Sequence, residues 1–136
     1  NPTADDLDLE LRRVREKVEA GADMLMTQPA FDAGAVRSFF ERLGPIDVPV
    51  LLGVLPLMSS RHAEFIHNEL AGVHVPDVVR ERMRLAGEAG AASGLELALE
   101  HVEETRALPF VSGIYVMPSF GRYEVAADLV RSLAGR

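Results

Sequence analysis

Val48-Pro49-Val50-Leu51-Leu52-Gly53-Val54-Leu55-Pro56 is the stretch whose reading decides the fold. From 48 to 54 it is apolar at nearly every position, so an extended strand here would need cover on both faces. That is the mark of a parallel strand roofed by helices; an antiparallel strand with one wet face alternates instead. Two comparable runs stand on either side, DMLMTQ at 23–28 and FVSGIYVM at 110–117.

Helical patterns separate the three runs. From Thr3 to Ala20, Leu7, Leu11, Val14 and Val18 recur at helical spacing and make one apolar face. Thr3 is the expected cap, with Asp5, Asp6 and Asp8 near the positive end, and Gly21 the stop. A second helix is expected from Ala33, with Val36, Phe39, Phe40 and Leu43 inward, closed by Gly44-Pro45. A third spans about 60–70 with His62, Phe65, Ile66 and Leu70 on one side. Pro76 suits the first turn of a fourth. A fifth runs over about 88–105, and a last over 123–134. Strands alternating with helices give an α/β fold. Three parallel strands leave two bare edges, so either more strands precede Asn1 or copies associate to cover them.

Composition narrows the function. The chain has 136 residues, a net charge of −7 and no cysteine. Disulfides, thiolate nucleophiles and cysteine–metal sites are excluded, and a reducing, cytoplasmic setting is expected. With no basic stripe, a phosphate backbone would be repelled, so nucleic acid is not an expected partner. No apolar run approaches the roughly 18 residues of a membrane span. The start at Asn1-Pro2-Thr3, without a methionine, is read as a cut through a longer protein.

In parallel α/β folds the working groups gather at the C-terminal ends of the strands. That rule selects Thr27-Gln28, Gly53 to Pro56, and Tyr115 to Pro118. Gln28 closes an apolar strand with an amide that donates and accepts together. It suits a heterocycle of mixed donors and acceptors, such as a pterin or a nicotinamide, or else a bond to loop backbone. Gly53 lets backbone come close to a ligand or simply makes a turn. The four histidines, His62, His67, His74 and His101, form no metal-binding spacing and are read first as surface residues. His62, in the first turn of its helix, could face the working end. Lys17 is read first as a solvated lysine.

Four pieces together resemble one family. Lys17-Val18-Glu19-Ala20-Gly21-Ala22-Asp23 followed by Thr27-Gln28-Pro29-Ala30-Phe31-Asp32 resembles the KVxAGAD…TQ…FD segment of methylenetetrahydrofolate reductases. The stretch from Val48 to Leu57 resembles that family's VPIIPGIxPI strand. Val75-Pro76 matches the IP opening its next helix, and Gly113 to Met117 stands where its last strand lies. The form MPSFGRY at 117–123 resembles the reductase part of bacterial proteins that fuse a homocysteine methyltransferase to this enzyme.

The resemblance implies that residues 1–136 are a partial reductase domain, the C-terminal portion (strands six to eight) of a (β/α)8 TIM barrel. It implies FAD as cofactor, NAD(P)H as donor and a folate as acceptor, nicotinamide and folate using one flavin face in turn. Gln28 then matches a glutamine that contacts the folate ring. His62 and Ile66 stand where some members carry a glutamine and a phenylalanine touching folate or nicotinamide, and Tyr115 lies on the last strand's working end. Lys17 matches a lysine on the FAD side, Glu10 stands for an aspartate near the FAD, and Asn1 lies near the fifth-strand end that faces it. The family's general acid, on the first strand, and its flavin-side aspartate, on the fourth, fall outside this chain, so no catalytic residue is expected within it. Alone, it is expected to be inactive; the full-length protein is expected to be a homo-oligomer. Two other readings stand beside this one: another FAD-linked barrel such as a proline dehydrogenase relative, and a non-catalytic half-barrel that binds or assembles.

Overall fold

The computed structural model describes residues 1–135. The elements in order are α1 (Leu7–Glu19), β1 (Leu25–Pro29), α2 (Ala33–Leu43), β2 (Val50–Val54), α3 (Ser60–Glu69), α4 (Asp77–Ala86), α5 (Gly90–Thr105), β3 (Gly113–Val116) and α6 (Tyr123–Ala134). The three strands form one parallel sheet in the order β1-β2-β3. Crossover helices make that geometry possible, since a parallel pair cannot be joined by a tight hairpin.

The apolar side chains divide by face. Val50 and Leu52 pack with Leu11, Val14, Val36, Phe39, Phe40 and Leu43 from α1 and α2. Val54 packs with Ala98, Val102 and Leu129 from α5 and α6. A third cluster joins Leu55 and Leu57, just past β2, to Ala63, Ile66, Val73, Val75 and Met83. All three lie on the helical side. The opposite face carries Met26, Leu51, Gly53, Gly113 and Tyr115, paired across the sheet as Met26↔Leu51↔Gly113 and Gly53↔Tyr115. Met26 there is 53% exposed, so the face that reads as buried in sequence is uncovered in this chain.

Helix ends follow local chemistry, with one correction. Asp6, not Thr3, caps α1, its carboxylate accepting from the Leu9 N–H at 2.9 Å. The Thr3 hydroxyl instead donates to the Gly72 carbonyl at 2.9 Å, a contact between distant segments. The far end of α1 closes as expected at Gly21, with φ +96°. The Gly21 N–H meets the Val18 carbonyl and the Ala22 N–H the Lys17 carbonyl. That double closure needs a left-handed residue, which glycine supplies without a Cβ penalty.

Other boundaries also move. β2 begins at Val50 and β3 spans only Gly113–Val116. Phe110, expected in the third strand, stacks on Phe40 with ring centroids 4.6 Å apart. It is an anchor of the helical core. The expected helix over 88–105 starts with a 3-10 turn at Gly87–Ala89 before α5. Phe65, expected on the inner side of α3, is 48% exposed; His62, Ala63 and Ile66 form the buried stripe.

Candidate functional site

The polar groups at the C-terminal strand ends come together through one glycine. Tyr115 stands beside Gly53 on the open face of the sheet. A Cβ at Gly53 would lie 3.0 Å from both the Tyr115 hydroxyl and the Thr27 carbonyl oxygen. Only a residue without a side chain lets the Tyr115 ring cross β2 and reach β1. There its hydroxyl donates to the Thr27 carbonyl, the peptide unit that leads into Gln28. Burial pushes the Tyr115 phenol up from its usual value, so it remains a donor at neutral pH. The Thr27 hydroxyl accepts from the Gly53 N–H at 3.0 Å and donates to the Gln28 carbonyl at 2.8 Å. The β1–β2 register shifts between Met26 and Pro29 at this point.

Gln28 therefore sits on backbone held from two strands, and its side chain is exposed, with no hydrogen bond among the described residues. The alternative of an amide bonded to loop backbone is not what forms. We expect Tyr115→Phe to cost about 1 kcal/mol of stability, the net worth of one hydrogen bond. A urea denaturation midpoint measures it; an unchanged midpoint would show that the bond to Thr27 contributes nothing.

His62 occupies the next loop cluster. Its backbone N–H is capped by Ser59 at 3.1 Å, and its Nδ1 accepts from the Met58 N–H at 3.1 Å. It is buried, which lowers its pKa, so the ring is neutral. With Nδ1 accepting, the proton must sit on Nε2, which makes that atom a donor. The ring lies 5.0 Å from that of Phe120, tilted by 55°. Phe120 is 76% exposed and has φ +52°, a left-handed conformation that costs a non-glycine residue about 1–2 kcal/mol. Ser119 ties this loop to the one after β2 by donating to the Pro56 carbonyl at 3.3 Å. Phe120 escapes a reading of the sequence; its only signal is an aromatic residue wedged between Ser119 and Gly121 just after a strand.

Ile66 goes elsewhere. It is 4% exposed and fills the cluster beneath the loop after β2, so it supports that loop from below. Asn1, Glu10 and Lys17 form a separate group. The Asn1 side-chain amide donates to the Gly72 carbonyl at 2.7 Å, and Glu10 and Lys17 lie two turns apart on one side of α1. Glu10 and Lys17, with Arg13, Glu16 and Ala20, line a shallow recess. Lys17 is exposed, and its ammonium makes no hydrogen bond among the described residues. Those residues contain no cluster of three or more metal-ligating side chains, and no helix long and apolar enough to cross a membrane.

Parallel strands, helices on one side and polar groups at the C-terminal strand ends define an α/β enzyme-type layout consistent with part of a TIM barrel. The family model for methylenetetrahydrofolate reductase matches residues 1–133, and the chain belongs to that family. Among solved structures, it is similar to an uncharacterised protein from Clostridium thermocellum that binds two copies of 5-methyl-5,6,7,8-tetrahydrofolic acid. The TM-score is 0.63 at 17% identity, over 89% of this chain and 46% of that one. The likeness shows the fold. This chain spans just under half the length of that structure.

Proposed function

We propose that this chain supplies strands six, seven and eight of a (β/α)8 barrel that reduces 5,10-methylenetetrahydrofolate to 5-methyltetrahydrofolate with FAD and NADH or NADPH. Family membership supports the reaction class. The uncovered inner face at Met26 and the two edge strands, β1 and β3, support the need for further strands. The C. thermocellum protein binds a methylated folate, which favours a folate as the ligand here.

The observation that carries the reading is the Gln28 amide, without a hydrogen-bond partner among the described residues at the C-terminal end of β1. A reduced pterin edge both donates and accepts, and Gln28 can answer both demands. Tyr115 holds the backbone under it. His62 offers its Nε2–H as a second donor, and Phe120 offers an exposed ring face beside it.

A flavin, when bound, supplies the hydride chemistry. The donor set along α1 fits the non-reacting part of such a cofactor: the unpartnered Lys17 ammonium suits a phosphate, and the Glu10 carboxylate and Asn1 amide suit hydroxyls. Of the three, Lys17 is the one free to act without breaking an existing contact.

In the intact enzyme, Gln28→Ala should lower kcat/KM for the folate half-reaction by roughly 10–100-fold, since leaving buried polar groups unmatched costs about 1–3 kcal/mol. Bound FAD per chain should be nearly unchanged. Normal folate kinetics with lost FAD would move Gln28 to the cofactor site. Normal values for both would remove it from the site altogether.

A further inference from the structure

A groove of about 410 Å³ lies on the helical side of the sheet, between the N-terminus of α2, α4 and α5. Its floor is apolar, formed by Leu55, Leu57, Val79 and Ala98 among others. Neither Gln28, His62 nor Tyr115 lines it. It sits over β2, the central strand, away from the two edges where further strands would pair. The volume is that of a small-molecule site.

Charge on the groove is lopsided. Asp32, Glu100 and Glu104 line it against a single cation, Arg82. Arg82 is already held by Glu100 at 2.6 Å and Glu96 at 3.2 Å. Glu104 lies in the last turn of α5, where the helix end adds partial negative charge. His101 also lines the groove and is 8% exposed, and its fully buried Nε2 has no hydrogen-bond partner among the described residues. Buried nitrogens without partners are rare in folded proteins.

We propose that this groove is a second ligand site, and that it takes a small molecule with an apolar body and a protonated amine. The body lies on the floor of Leu55, Leu57, Val79 and Ala98. The ammonium meets the Glu104 carboxylate and that of Asp32, which also caps α2 by accepting from the Gly34 and Ala35 N–H groups, beside the His101 ring. An anion of the same size is turned away by the same carboxylates. The proposal is independent of the reductase reading.

The test uses the intact protein and three probes of one shape: 2-phenylethylammonium, 2-phenylethanol and 3-phenylpropionate. Calorimetry near neutral pH should show the ammonium binding at least about tenfold more tightly than the carboxylate, the size of one favourable charge contact. The ring nitrogen resonances of His101 in the unaltered protein should shift on adding the ammonium. Glu104→Gln, an exposed change that leaves the core alone, should weaken ammonium binding by roughly three- to tenfold. Equal binding of the carboxylate, no binding of the ammonium at millimolar concentration, or binding that leaves the His101 resonances in place would each overturn the proposal.

Discussion

Gly94→Ala should destabilise the protein by about 3 kcal/mol, at the upper end of the cost of forcing an extra methyl into a packed interior. Intrinsic propensity points the other way, because alanine is favoured over glycine inside a helix by about 1 kcal/mol. Geometry decides which effect wins. A Cβ at Gly94 would lie 1.7 Å from the Leu57 carbonyl oxygen and 2.6 Å from its carbonyl carbon. One turn earlier, a Cβ at Gly90 would lie 2.9 Å from the Met58 oxygen. These neighbours are backbone and cannot rotate aside, so α5 must back away from the loop after β2. The retreat also loosens Leu57, which is 1% exposed, and the groove that both line. Ala92→Gly, at an exposed position on the same helix, should cost only about 1 kcal/mol by propensity. Denaturation midpoints of the two variants give the comparison. A stabilised Gly94→Ala would mean that α5 does not approach Leu57 as described.

That contact shows what local sequence reading misses. Gly90 and Gly94 sit within an apolar helical pattern, and nothing nearby says which backbone they meet. The partner lies more than thirty residues earlier, in the loop after β2. Thr3 and Asp6 make the same point. Both are good capping residues, and a bond to Gly72 draws Thr3 away from α1. Phe110 reads as strand because an apolar run has no period to separate a strand from an anchor; its stack on Phe40 ends that ambiguity.

The parallel sheet was legible because doubly covered strands carry a composition of their own, and its order followed from the alternation with helices. The placement of part of the candidate site was legible for a related reason. Gln28, Gly53 and Tyr115 stand at the C-terminal strand ends, where parallel folds place their working groups. The bond from Tyr115 to the Thr27 carbonyl was not, since it depends on sheet register and on the register shift between Met26 and Pro29. Family resemblance, rather than pattern, singled out Glu10 and Lys17. The groove around His101 draws its lining from four separated segments, and no local window contains it.

The histidines read as surface residues divide on folding, and the buried His101 should make stability depend on pH. Burial, opposed only by the Asp32 carboxylate, drives its pKa from 6.5 down to about 4. The folded protein therefore holds this ring neutral over a range in which the unfolded chain protonates it. Stability rises with pH wherever the unfolded state binds more protons. The contribution is fully present above about 6.5, falls away as the pH drops toward about 4, and levels off below that. Across the window the loss should reach about 3 kcal/mol, at 1.36 kcal/mol for each unit of pKa difference. The charged groups sharing the groove are Asp32, Glu100, Glu104 and Arg82, and carboxylates elsewhere add their own acid sensitivity. Comparison with His101→Leu removes those common contributions. Because His101 Nε2 is unpartnered, an apolar replacement sacrifices no hydrogen bond there, and the variant should lie within about 1 kcal/mol of the native protein at pH 7. As the pH falls toward 4 the variant should become the more stable of the two, by about 3 kcal/mol. Urea titrations at a series of pH values measure the difference directly. Parallel stability curves for the two proteins between pH 7 and pH 4 would show that His101 titrates as it does in the unfolded chain, and that its ring is not buried as a neutral group.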